Sequence, residues 1–192
     1  MSIPESDRKC TYADYLTWPD EERWEIMDGI PCMMTAPSWQ HQAIGMQLAT
    51  QFNTYLAGKP CRVFGAPFDL RLPVNRDNKD EDTVNVVQPD ITVICDASKL
   101  KGTGYFGVPK LIIEISFPST GKMDKVFKFS LYEKAGVSEY WIVEPVDKTV
   151  AVFTLQEDGR YGRPQMYAEE DSVTVNSFPD FMVDLRQVFE GI

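Results

Sequence analysis

Glu114 is the one polar residue in the run Leu111-Ile112-Ile113-Glu114-Ile115. Every neighbour in that run calls for burial, and a carboxylate inside a central strand is costly unless a cation or a metal pairs with it. Asp90, after Pro89, opens a second run of mostly β-branched residues, Ile91-Thr92-Val93-Ile94. Pro-Asp by itself marks only a turn. Two carboxylates on neighbouring strands are a hard-oxygen pair, and with waters and a substrate phosphate such a pair completes the octahedron of a magnesium ion. Asp124, Lys128 and Tyr132 are spaced four apart and rise along one side of a helix. On a helical wheel they flank an apolar arc of Met123, Phe127, Leu131 and Ala135, which puts them at the margin where helix meets sheet. From there Lys128 can point at the Glu114 strand end, while Lys122 and Lys125 face solvent. Plainer readings stay open: Glu114 salt-bridged to a lysine at the rim, and Asp124–Lys128 as a surface pair worth about a few tenths of a kcal/mol. His41, the only histidine, lies three residues after a helix-capping Ser38. A local hydrogen bond in the first turn is as good an account of it as a role in a site.

The elements that would position these groups can be read from spacing. A short helix over residues 12–16 ends at Trp18-Pro19. Extended runs at 23–27 and 30–34 flank Asp28-Gly29, the strongest local signal for a hairpin. A helix from the Ser38 cap to about residue 56 carries Ile44, Leu48, Phe52 and Tyr55 or Leu56 at helical spacing, and Gly58 and Pro60 stop it. Strands are expected at 62–64 and 68–72, a solvated loop at 76–82, and a strand within 84–94 whose body starts at Pro89. Leu111–Ile115 reads as a central strand covered on both faces. A helix over 121–135 closes at Gly136, strands follow at 139–143 and 149–155, and a final helix spans about 181–189. This order describes a mixed α/β fold in a single domain, 1–192.

The bulk composition bounds the function. The 192 residues are 43% hydrophobic and 12% aromatic, ordinary for a folded protein, and no apolar run nears the roughly 18 residues that cross a bilayer. The first ten residues, MSIPESDRKC, lack the layout of a secretory signal, so a cytoplasmic location with no membrane partner is expected. Cys10, Cys32, Cys61 and Cys95 match no metal-ligand spacing and are expected as four free thiols in a reducing compartment. The net charge of −10 opposes non-specific binding to nucleic acid. Residues 99–134, however, hold seven lysines against three acids, so a local basic face is compatible with an acidic chain.

Taken together, these residues resemble a known family. Pro89-Asp90, Glu114-Ile115-Ser116 with Pro118-Ser119-Thr120, then Asp124, Lys128, Tyr132 and Gly136-Val137-Ser138-Glu139-Tyr140-Trp141-Ile142-Val143 are similar to the Uma family. That family is assigned to the PD-(D/E)XK, restriction-endonuclease-like nuclease superfamily. Trp24-Glu25-Ile26-Met27-Asp28-Gly29, Pro37 with His41, and Pro67-Phe68-Asp69-Leu70-Arg71-Leu72 agree with it. The resemblance implies an αβββαβ core preceded by a hairpin and followed by extra C-terminal strands. It implies magnesium or manganese held by Asp90, Glu114 and the Ile115 carbonyl, with Glu25 as a further acidic position that ligates or orients. In the superfamily pattern a lysine stands two residues after the glutamate. Ser116 occupies that place here, and Lys128 on the following helix matches the relocated lysine. His41, Ser116, Asp124 and Tyr132 take supporting positions.

The expected activity is metal-assisted hydrolysis of a nucleic-acid phosphodiester, with DNA the expected substrate and a homodimer the expected assembly. The rival from another class is a non-catalytic binding or scaffold protein that keeps the nuclease fold. The acidic charge favours the rival; the presence of Asp90, Glu114 and Lys128 together favours the enzyme.

Overall fold

The computed structural model describes residues 8–19, 21–73, 79–117 and 121–192. Pro118-Ser119-Thr120 of the sequence motif, and residues 76–78 of the expected loop, lie outside them.

Helix α1 (Tyr12–Tyr15) starts with a reciprocal capping box between Thr11 and Asp14. The Asp28-Gly29 turn, with both residues at positive φ, joins β1 (Trp24–Met27) to β2 (Ile30–Met33). Ser38 then caps α2 (Trp39–Leu56) by accepting from the His41 N–H, and Ile44, Leu48, Phe52 and Leu56 form its buried face. These four elements stand where the sequence places them. The next stretch is β3 (Arg62–Gly65) and β4 (Asp69–Arg71), and residues 80–82 wind as a short 3-10 turn rather than a loose loop. The expected strand at 84–94 is two strands: β5 (Val86–Val87) and β6 (Ile91–Ile94), separated by Gln88-Pro89-Asp90. Proline cannot donate to a ladder, so pairing stops there and the chain passes from one sheet to another.

β7 (Leu100–Lys101) and β8 (Gly104–Phe106), neither anticipated, complete the first sheet in the order β2-β1-β5-β4-β8-β7. Gly104 makes that closure possible, since a Cβ there would stand 1.9 Å from the Asp69 carbonyl oxygen. The second sheet adds β9 (Leu111–Ile115), β10 (Glu139–Glu144), β11 (Thr149–Thr154) and β12 (Gln165–Ala168), in the order β12-β11-β10-β9-β6-β3. β9 and β10 run parallel and are joined through the helix over 121–135, which ends in α3 (Phe129–Ala135). Thus α2, β3, β6, β9, the helix and β10 reproduce the αβββαβ core, with the first sheet built from the N-terminal hairpin and the segments between core strands. At the C-terminus, β13 (Ser172–Thr174) pairs with β14 (Met182–Asp184), and α4 (Leu185–Val188) follows. The expected helix at 181–189 is therefore half strand: Met182 and Asp184 alternate with the buried Val183 and pair with β13 before Asp184 caps the helix.

Two apolar cores flank the second sheet. On one face Leu111, Ile113 and Ile115 meet α2 and the C-terminal segments, around Phe52, Trp141 and Phe181. On the other, Ile112, Tyr140 and Ile142 meet Tyr132 of α3 and Leu70, Val87 and Tyr105 of the first sheet. Among the described residues no helix is long and apolar enough to cross a membrane.

The cysteines correct the sequence reading. Cys61 and Cys95 form a disulfide, and Cys10 and Cys32 are free. Cys61 precedes β3 and Cys95 follows β6, and the ladder pairing Arg62 with Ile94 sets the two directly across from each other.

Candidate active site

Alternation along β9 decides where Glu114 goes. Leu111, Ile113 and Ile115 turn toward α2, so Ile112 and Glu114 turn toward α3 and the first sheet. Glu114 is 3% exposed. Its Oε1 accepts from the Lys128 ammonium at 3.0 Å and from the Tyr132 hydroxyl at 2.6 Å. The same ammonium donates at 2.9 Å to Oε1 of Glu25, which the hairpin strand β1 carries in from the opposite sheet. Glu25 also accepts the Gln88 backbone N–H at 2.8 Å. Sheet, helix and hairpin thus meet on one buried lysine.

That lysine corrects the helical wheel. Asp124, Lys128 and Tyr132 do not sit at the margin: they are the buried face, while Val126 and Phe127 are about half exposed. The desolvated charge of Glu114 outweighs the apolar arc in setting the helix's rotation, because an unpaired buried carboxylate costs more than an exposed phenylalanine. The first turns, Met123–Lys128, are π-wound, and the Tyr140 hydroxyl donates to the Asp124 carbonyl oxygen there at 3.0 Å. Lys122 and Lys125 are exposed as expected, with Lys125 paired to Glu144 at 2.7 Å. The plain reading of Glu114 as a lysine partner is met in one respect, but the lysine is Lys128 and it lies inside, not at the rim.

Charges in this cluster reinforce one another. Burial raises the Glu114 carboxyl well above the usual glutamate range; Lys128 pulls it down, and Asp90, Asp124 and Glu25 push it up again. Burial by itself would lower the Lys128 ammonium, but Glu114, Glu25 and Asp124 together raise it above its ordinary value. Burial, then the Glu114 charge, raises the Tyr132 phenol. At neutral pH Lys128 is therefore a fixed cation and Tyr132 a neutral donor.

Asp90 stands at the head of β6, whose antiparallel pairing of Ile91 with Ile113 brings it beside the Glu114-Ile115 end of β9. Its Oδ2 accepts the Ile115 N–H at 2.8 Å and lies 3.0 Å from His41 Nε2. His41, from the first turn of α2, stacks on Phe117, so it belongs to the site's edge and not merely to its own helix. Ser116 is buried, and its hydroxyl has no partner among the described residues. It holds the strand by donating its N–H to the Val143 carbonyl at 2.8 Å.

Among the described residues no group of three or more His, Cys, Asp and Glu side chains is arranged to hold a metal ion. The donor chemistry nonetheless fits one. Asp90 and Glu114 carry hard carboxylate oxygens at adjoining strand ends, the Ser116 hydroxyl, without a partner among the described residues, stands two residues beyond Glu114, and magnesium asks for only one or two carboxylates beside waters and phosphate. Both hydrogen bonds on Glu114 from described residues fall on Oε1.

Spacing missed the layer behind Glu25. Gln88 joins Arg23, Tyr15 and Asp69 in a buried network. In the strand expected at 68–72, Asp69 and Arg71 are buried as well as the apolar residues, because α1 covers that face.

Known proteins resemble this fold as a whole. A crystal structure described as a putative nuclease from Anabaena variabilis superposes with a TM-score of 0.74 at 18% identity, covering 94% of this chain and 97% of that one. The shared architecture is restriction-endonuclease-like. An uncharacterized protein of Synechocystis sp. is 29% identical over 154 residues, which is 79% of this chain and 77% of that protein. Residues 12–186 match the model of the Uma2 family, described as "Putative restriction endonuclease", and the chain belongs to that family.

Proposed function

We propose that the protein is a metal-dependent endonuclease acting on DNA as a homodimer, with Asp90, Glu114 and Lys128 as its catalytic residues. The observation that carries the reading is the Lys128 ammonium, delivered from the helix to bridge Glu114 and Glu25 beside Asp90. It replaces the lysine that Ser116 lacks.

Asp90, Glu114 and the Ile115 carbonyl would hold magnesium or manganese. A divalent ion held there would supply Lewis acidity toward the scissile phosphate and the attacking water. The chain's own residues do the rest. Lys128 is held protonated, so it serves as a fixed donor and positive charge, not as a base. Glu25 fixes one hydrogen of that ammonium and Tyr132 fixes the Glu114 carboxylate, so neither group needs to reorganise as charge develops. His41 and the Ile115 N–H both hold Oδ2 of Asp90, which fixes the carboxylate's orientation.

Calorimetric titration with manganese, together with cleavage of supercoiled and linear DNA, tests this. Wild type should bind the ion, Asp90→Ala should lose binding, and Glu114→Ala should lose cleavage while remaining folded. A wild-type protein that takes up no divalent ion refutes the reading. The net charge of −10 supports the second reading, a non-catalytic scaffold. Partner binding that is indifferent to Asp90→Ala, with no cleavage by wild type, would establish that one.

A further inference from the structure

Between β5 of the first sheet and β6 of the second the chain has three residues, Gln88-Pro89-Asp90. Two of them reach the candidate site: the Gln88 N–H holds Glu25, and Asp90 supplies a carboxylate. The short crossover has no ladder to fix its path, and Pro89 can donate no hydrogen bond. The crossover's far end is held where the Asp90 carbonyl accepts the Ala66 N–H at 3.3 Å, and its near end is fixed by the Gln88 side chain. Its Oε1 accepts from Arg23 Nε at 3.0 Å and Arg23 Nη2 at 2.8 Å. Its Nε2 donates to the Tyr15 hydroxyl at 3.0 Å and to Asp69 Oδ1 at 3.0 Å. All four hydrogen-bonding positions of the carboxamide are filled, and Gln88 is 4% exposed. The amide cannot turn over, since that would aim its NH2 at a guanidinium and its oxygen at a carboxylate. Asp69 is anchored in turn by Tyr12, Tyr15 and Thr103.

We infer that Gln88 is the positioning residue of the site: by locking one crossover it sets Glu25, and through Glu25 the Lys128 ammonium, at the same time as it sets Asp90. Glutamine suits the place because one end of its amide must meet a cation and the other an anion. A glutamate would oppose Asp69, and a methionine of similar length would leave Arg23 and Asp69 short of partners.

Two backbone amides report these placements without any metal: residue 88, bonded to Glu25, and Ile115, bonded to Asp90. Hydrogen exchange by NMR on Gln88→Met should show both amides exchanging about tenfold faster or more. The amides of Leu155 and Val175, bonded to Ser138 and Phe181 far from the crossover, should change less than about twofold. Tyr15→Phe removes one of the four partners and should shift the same two amides by less, which keeps the test available should Gln88→Met fold poorly. The inference rests on the nuclease reading in one arm only, where manganese affinity of Gln88→Met should fall about 10- to 100-fold. Unchanged exchange at residues 88 and 115, an equal acceleration at all four amides, or unchanged manganese affinity in a metal-binding wild type would each overturn the assignment. A wild type without manganese affinity overturns the nuclease reading instead, while the exchange comparison still decides the role of Gln88.

Discussion

Lys128 is surrounded by carboxylates, so Lys128→Met leaves Glu25 and Glu114 buried with no cation between them. Breaking a buried pair on one side costs about 3–5 kcal/mol, and urea denaturation at neutral pH should show a loss of that order. Part of it should return in acid, where the stranded carboxyls take up protons; a loss equal at both pH values would mean the ammonium is not their counter-ion. Glu114 carries its own pH signature. Burial raises its carboxyl even against the pull of Lys128, so the folded chain keeps a proton that the unfolded chain has already released. Stability from this group is present below the ordinary glutamate range and is lost as pH rises through the raised value, because the folded state binds more protons across that window. Glu114→Gln removes the titration, and its profile of Tm against pH should be flatter from acid toward neutrality. A profile as steep as that of wild type would place the cause elsewhere.

At the scale of elements, two substitutions probe connections that join distant parts of the chain. The Cys61–Cys95 disulfide closes a separation of 34 residues. Loop-closure entropy of that size corresponds to about 3–4 kcal/mol, so a reductant or Cys61→Ala with Cys95→Ala should lower Tm measurably. An unchanged melt would mean that the β3–β6 ladder needs no staple. Gly104→Ala should do more damage, because its new methyl collides with the Asp69 backbone and parts β8 from β4; loss of soluble folded protein is the expected result. These connections also mark the limit of what spacing conveys. The hairpin, α2 and β9 were legible because their signals are local: a turn pair, a capping serine with periodic apolar residues, and one glutamate in an apolar run. The disulfide was not, since only the register of two strands sets those cysteines face to face. The expected contact of Lys128 with Glu114 is made, but from the buried face of the helix over 121–135 and not from its margin, because the apolar arc read from the helix alone does not set its rotation. Gln88 carries no signal of its own and Asp69 stands only within a family-like run, and their burial depends on a short helix folding over a sheet edge.

For the whole molecule, the layout explains how a chain of net charge −10 accommodates a polar centre without losing its core. One apolar cluster lies on the α2 face of the second sheet, where Glu139 is buried among the Trp141, Asn176 and Ser177 N–H groups, and Glu25, Glu114, Asp124 and Lys128 gather at the far face where three elements converge. Among the described residues, Glu25, Asp90, Asp124 and, above its raised titration, Glu114 stand there around the Lys128 ammonium. Under the proposed function, a phosphate backbone meets like charge here, and a divalent cation held among these carboxylates would reduce it, so the two ligands should favour each other's binding. Calcium, which takes the same oxygen ligands, should raise DNA affinity at constant ionic strength, and Asp90→Asn combined with Glu114→Gln should remove that dependence by removing the charges that create it. Equal DNA affinity with calcium and with chelator would show that the substrate enters by a route that never senses these four acids.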